Sequence, residues 1–203
     1  MTAPRLDFWY DFSSTYSYLA SARIEEIADD AGVAVRWRPF LLGPVFKAQG
    51  METSPFNLFP VKGAYMWRDV ARQAADLGIP FRQPTQFPQN SVLPARIAML
   101  GFQDGWGEKF THAVYHAAFA DDRPMADAGV MRDVLSGLGL NADEVLARAQ
   151  SDEAKAALRQ QTEEAQGLGI FGAPTFTTSG GELFWGNDRL PQAIRWAQRH
   201  AAA

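Results

Sequence analysis

The chain has 203 residues, 47% hydrophobic and 21% charged, enough apolar material for one compact core carrying an insertion. Its formal net charge of −4 gives no general attraction to nucleic acid or to an acidic membrane surface. The absence of cysteine excludes disulfides, zinc–thiolate centres and any redox dithiol of its own.

The elements fall in a clear order along the chain. Leu6 to Tyr10 is an aromatic-rich run that predicts a short strand. Ser13, Ser14 and Thr15 then offer hydroxyls to cap a helix from Tyr16 to Asp30, with Gly32 as its stop. Val33 to Phe40 alternates as a second strand, ended by Pro39. A β-α-β opening of this kind predicts parallel strands joined by a right-handed crossover.

From about Pro44 to Gly167 no strand is expected. Helices are predicted over Lys62–Leu77, Ser91–Gln103, Trp106–Phe119, Ala126–Leu138 and Ala142–Gly167, and Pro80–Pro88 reads as a loop. Strand character returns at Pro174–Thr178. The turn Ser179-Gly180-Gly181 and then Glu182–Trp185 complete a hairpin, and a last helix is expected over Leu190–Ala202 with Pro191 in its first turn. The pieces assemble into an α/β fold of thioredoxin type, β-α-β then β-β-α, with a large all-helical insertion. Residues 1–43 and 168–203 would form the thioredoxin-like part, and residues 44–167 the insert. No apolar stretch approaches a membrane span and no secretory signal is recognisable, so the expected location is cytoplasmic.

Four places carry possible chemistry. The hydroxyls at Ser13-Ser14 sit at a helix start, where exposed N–H groups favour an anion, although from the pattern alone plain capping is the simpler reading. No Gly-x-Ser-x-Gly elbow accompanies them, which argues against a serine hydrolase. Gly172-Ala173-Pro174 leads into the late strand, and a cis Pro174 would leave Ala173 presenting its backbone like a strand edge. Asn187 and Asp188, between hairpin and last helix, can cap that helix or hold the charged ends of an amino acid. His112 and His116 share a helix face, but the HExxH pattern and a third ligand are missing, so no metal is expected. Lys62, Asn90 and Arg96 lie at helix starts near proline-rich turns and read, from spacing alone, as side chains solvated at the surface.

Together DFSSTYSYLA, WRPFLLGPVF, FPVKGAYMWRD, FPQNSVLPAR, GIFGAPTF and FWGNDRL resemble the 2-hydroxychromene-2-carboxylate isomerase family. That family is close to the kappa-class glutathione transferases, within the DsbA-like branch of the thioredoxin fold. The resemblance runs from about Asp7 to about Trp196.

It implies that a serine replaces the catalytic cysteine and that the thiol comes from glutathione. The activating serine is then Ser14, with Ser13 at a variable position. Thr15 stands where the family usually has proline, which should loosen the turn slightly. Ala173 and a cis Pro174 would pair with the cysteinyl backbone of glutathione, Asn187 and Asp188 would hold its γ-glutamyl end, and Lys62 would meet a carboxylate. Asn57, Asn90 and Arg96 are weaker candidates for substrate contact. Phe46, Phe56, Tyr65 and Trp67 would line an apolar pocket. The activity implied is cis/trans isomerisation of an aromatic 2-oxo-enoate by reversible addition of the glutathione thiolate. A kappa-like transferase or peroxidase, and a non-catalytic thioredoxin-fold binding protein, are the alternatives. The expected partners are a small aromatic substrate and a second copy in a homodimer, without nucleic acid or membrane.

Overall fold

A computed structural model describes residues 4–200. β1 (Arg5–Tyr10), α1 (Thr15–Asp30) and β2 (Ala34–Pro39) form the opening unit, with β1 and β2 parallel in a register that sets Phe8 against Trp37. β3 (Thr175–Thr178) lies antiparallel on the other side of β1, Phe8 opposite Phe176, and β4 (Leu183–Trp185) pairs with β3. The strand order is β2-β1-β3-β4, the thioredoxin arrangement, and β1 is therefore central.

A central strand is covered on both faces, which is why β1 reads as a nearly unbroken apolar run. Leu6, Phe8 and Tyr10 join the larger core with Tyr18, Leu19 and Ile24 of α1. That side is closed by α10 (Leu190–Arg199), whose Leu190, Ala193 and Ile194 are buried. Trp9 points to the opposite face and packs with Phe40, Leu42, Val45, Ala165 and Ile170. Tyr10 is tied to the helical region through a 2.8 Å hydrogen bond between its hydroxyl and that of Thr111.

Between β2 and β3 the described chain is helical: α2 (Leu42–Ala48), α3 (Pro55–Leu58), α4 (Pro60–Asp76), α5 (Val92–Asp104), α6 (Gly107–Phe119), α7 (Ala128–Gly137), α8 (Ala142–Ala149) and α9 (Asp152–Gly167). Two of these, α2 and α3, have no counterpart among the sequence expectations. The single helical run expected over Ala142–Gly167 is instead two helices. Ser151 accepts a hydrogen bond from the Ala154 amide and caps α9, whose first turn carries Asp152 and Glu153. Its hydroxyl and those acids together favour a fresh helix start over continuation. The expected extension of α10 to Ala202 ends outside the described residues. No helix among the described residues is long and apolar enough to cross a membrane.

Candidate active site

A cleft of about 1130 Å³ opens at the carboxyl end of β1, walled by the β1–α1 turn, α2, α4, the start of α5 and the segment from Phe171 to Pro174. Ser14 sits at its floor and is 8% exposed. Of the three hydroxyls at the turn, Ser14 is the helix cap: its Oγ accepts from the Ser17 amide at 3.1 Å. The same Oγ donates to the carbonyl of Ala173 at 3.1 Å, 159 residues away. Ser13 donates both its amide and its hydroxyl to the Asp11 carboxylate, each at 2.7 Å. Thr15 turns its hydroxyl to the sulfur of Met66 at 3.4 Å. The three are thus sorted by their partners. Only Ser14 spends its proton on a backbone carbonyl in the cleft.

Asp11 organises this turn and did not stand out as a functional residue in the sequence. Besides Ser13 it takes the amide of Leu42, the first residue of α2, at 2.7 Å. Burial pushes its carboxyl up, while hydrogen bonds from Leu42, Ser13 and Ser91 oppose the rise. One side chain therefore fixes the serine turn and the start of the neighbouring wall together. The D-x-S spacing of Asp11 and Ser13 was a local sign of such a turn.

In the segment before β3, three of the four carbonyls are held by partners other than Ser14. The Phe171 carbonyl accepts from Gln49 Nε2 at 3.1 Å, the Gly172 carbonyl from the Thr175 hydroxyl at 2.8 Å, and the Pro174 carbonyl from the Gly186 amide at 2.9 Å. The Ala173–Pro174 bond is cis. Among the described residues the Ala173 carbonyl meets only the Ser14 hydroxyl, and its amide has no hydrogen-bond partner. Gly172 lets Trp185 lie over this segment, since a Cβ there would fall 2.5 Å from the indole nitrogen. Phe171 and Trp185, each about half exposed, pack together at 4.9 Å on the rim.

Asn187 and Asp188 both line the cleft, but they are not alike. Asn187 is 5% exposed and its side chain is already satisfied. Its Oδ1 accepts from Arg23 at 3.0 and 3.3 Å, and its Nδ2 donates to Gln73 Oε1 at 2.8 Å. Arg23 also donates to the Asn187 carbonyl at 2.5 Å. Neither Asn187 nor Asp188 makes the expected side-chain cap on α10; residues Asn187–Arg189 form a single 3-10 turn instead. Gly186, at φ +107, permits the approach, because a Cβ there would sit 2.7 Å from Asp188 Oδ1. The Asp188 carboxylate is largely exposed, 3.7 Å from Arg189.

From Gln73 the network runs on to the cleft wall. Gln73 Nε2 donates to Asp69 at 2.7 Å, and the Tyr16 hydroxyl donates to the same carboxylate at 2.9 Å. Burial works to raise Asp69, yet the hydrogen bonds from Tyr16, Arg72 and Gln73 outweigh it and hold its carboxyl below the ordinary range. Burial depresses Arg23, which the nearby Asp188 partly offsets. Arg23, Asp69 and Gln73 were missed by the sequence reading. Only Asp69 had a usable signal, seven residues after Lys62 on the same helix face.

Lys62 lines the cleft from α4, with its ammonium 4.9 Å from the Phe59 ring centroid. Asn90 also lines it, its Oδ1 accepting from the Val92 amide at 3.0 Å. Asn57 and Arg96 are not among the lining residues. Asn57 instead donates to the Thr53 hydroxyl at 3.3 Å and the Phe87 carbonyl at 3.4 Å, while Arg96 is half-buried on α5. Of the four expected aromatics, Phe46 and Phe56 line the cleft. Tyr65 is exposed beneath the Arg72 guanidinium, and Trp67 packs on Phe81 and Phe87. His112 and His116 go to different carboxylates, Glu25 at 2.6 Å and Asp121 at 3.3 Å.

Comparison with known proteins gives the family of the chain. The profile of the DSBA-like thioredoxin domain matches residues 5–194. The chain is 31% identical over 186 residues to 2-hydroxychromene-2-carboxylate isomerase of Sphingobium xenophagum, covering 91% of this chain and 93% of that protein. It is 29% identical over 198 residues to glutathione S-transferase kappa 2 of Caenorhabditis elegans, covering 91% and 88%. A solved structure of 2-hydroxychromene-2-carboxylate isomerase superposes with a TM-score of 0.85 at 28% identity, over 97% of this chain and 96% of that one.

Proposed function

The chain belongs to the DSBA-like thioredoxin domain family, and we propose that it is a glutathione-dependent isomerase acting on an aromatic 2-oxo-enoate of the 2-hydroxychromene-2-carboxylate type. The observation that carries this reading is the meeting of Ser14, a helix-capping hydroxyl, with Ala173, which precedes a cis proline in a chain without cysteine. A thioredoxin fold with serine at this turn cannot form a disulfide there, and thiol chemistry at it needs a sulfur brought by a ligand, as the resemblance implies.

The residues present suit glutathione. Ala173 offers a free amide and an exchangeable carbonyl to a peptide backbone. The exposed Asp188 suits an ammonium, and Asp69 adds a second carboxylate to the lining of the same cleft. Lys62 and Arg189 are the lining cations available to carboxylates. Asn187 serves from behind, holding the turn in place rather than touching the ligand with its side chain. Phe46 and Phe56 contribute apolar surface for a ring.

When bound, glutathione supplies a thiol that adds reversibly to a conjugated carbon and leaves again, permitting rotation about the bond between. The protein's part is to favour the ionised sulfur. A free thiol has a pKa of roughly 8.5. Lowering it by about two units requires about 2.7 kcal/mol of preference for the anion. A hydrogen bond to a charged group contributes about 1.5–3 kcal/mol. A helix N-terminus adds about 0.3–1 kcal/mol. Ser14 and the start of α1 together supply about 1.8–4 kcal/mol, a range that brackets this requirement.

The test is isomerisation of 2-hydroxychromene-2-carboxylate by purified protein with and without glutathione. Acceleration only in its presence, with the glutathione recovered unchanged, is expected; equal rates in both would overturn the reading. The kappa-class relatives support a second reading, transfer of glutathione to an electrophile. Consumption of the thiol during turnover distinguishes it.

A further inference from the structure

We propose that the Ala173 carbonyl acts as a latch on the Ser14 hydroxyl, released when a peptide N–H of the bound ligand takes its place. The inference rests on the glutathione reading above and specifies how the site recognises a thiol as belonging to a peptide.

A serine hydroxyl has one proton to donate and two lone pairs to accept with. In this structure the Ser14 proton goes to the Ala173 carbonyl, and one lone pair is taken by the Ser17 amide. What remains toward the cleft is a single acceptor. An acceptor facing a thiol stabilises S–H and works against ionisation, whereas a donor stabilises the thiolate. With the latch closed, Ser14 therefore opposes the chemistry it is placed to assist. Ala173 is half-buried in the cleft wall. Once a ligand covers it, the carbonyl needs another donor before the latch can open, because a carbonyl shut off from water and left unpaired costs about as much as a lost hydrogen bond.

The surrounding segment confines this exchange to Ala173. The carbonyls of Phe171, Gly172 and Pro174 are held by Gln49, Thr175 and Gly186. Among the described residues Ala173 has an amide free to donate and a carbonyl whose only partner is Ser14, the pattern of a strand edge that pairs with an extended peptide. A peptide laid against it gives its own N–H to the Ala173 carbonyl. The Ser14 hydroxyl then turns to the sulfur, and the thiol proton leaves to solvent. Activation is thereby coupled to backbone recognition. A thiol without that N–H enters the cleft and meets the acceptor state.

The experiment compares glutathione with its depsipeptide analogue, in which an ester oxygen replaces the cysteinyl N–H. Calorimetry gives saturation, and the ultraviolet absorbance of the thiolate gives the pKa of each bound thiol. The bound glutathione thiol should titrate about two units below the free one. The bound analogue should titrate at or above its own free value, and Ser14→Ala should bring the two ligands together. A downward shift of the same size in the analogue overturns the latch while leaving the glutathione reading intact. Glutathione that fails to bind, or binds without a shift, overturns both.

Discussion

Replacing Ser14 by alanine separates what the hydroxyl does for the fold from what it does for the sulfur. For the fold it caps α1 through the Ser17 amide at 3.1 Å. Loss of a serine cap costs about 1 kcal/mol with alanine, but only a few tenths with glycine. For the sulfur, loss of a charge-assisted hydrogen bond of about 1.5–3 kcal/mol raises the bound thiol by about one to two pKa units, with the α1 terminus still in place. A thiol near pKa 6.5 is roughly three-quarters ionised at pH 7, so that rise lowers the thiolate, and the turnover that depends on it, by about 3- to 25-fold. At about pH 9.5 both proteins hold ionised thiol, and their rates should agree within about twofold. Steady-state isomerisation at saturating glutathione from neutral to alkaline pH is the assay, with Ser14→Gly as the companion. Glycine should restore most of the stability and none of the rate. A deficit that persists at high pH, or a glycine variant as active as the parent, would refute the assignment of the hydroxyl to the sulfur.

Other outcomes follow from the supporting residues. Asp11→Asn sets an amide N–H against donors from Ser13 and Leu42, and should cost about 2 kcal/mol, lowering the melting temperature by about 4–8 °C in calorimetry. Arg23→Met removes the cation behind Asn187, so KM for glutathione should rise several-fold while kcat at saturation holds; a fall in kcat alone would count against a positioning role. Gly172→Ala pushes a methyl into the Trp185 indole and should cost about 1–3 kcal/mol, read by denaturant unfolding. Because the Asp69 carboxyl is held below its ordinary range, its contribution to stability is present above about pH 4–5 and is lost as the pH falls through the lowered folded value. The stability difference between the parent and Asp69→Asn, followed by denaturant melts, should therefore shrink in acid.

Much of this molecule is written locally. β1 and the turn after it, the stop at Gly32, the hairpin over Gly180-Gly181 and the helices punctuated by glycine and proline follow from side-chain pattern and backbone freedom, which neighbours in sequence supply. So does the placing of Ser14 at a helix start. The short helix α2 lacks any side-chain cap from its own segment; its first amide is taken by Asp11, 31 residues earlier, and no pattern within LGPVFKA announces that.

The division of labour within the cleft belongs to the tertiary structure. By local pattern Ser13, Ser14 and Thr15 are three adjacent hydroxyls that could each cap the helix, and only the resemblance singles out Ser14; packing assigns them to Asp11, Ala173 and Met66. Asn187 and Asp188 look like a matched pair, but the fold brings Arg23 and Gln73 onto one and leaves the other open. Each sorting depends on a partner far along the chain. A hydrogen bond needs its two groups within about 3 Å in a suitable direction, a condition that spacing sets within one helix or turn and that only folding sets between them.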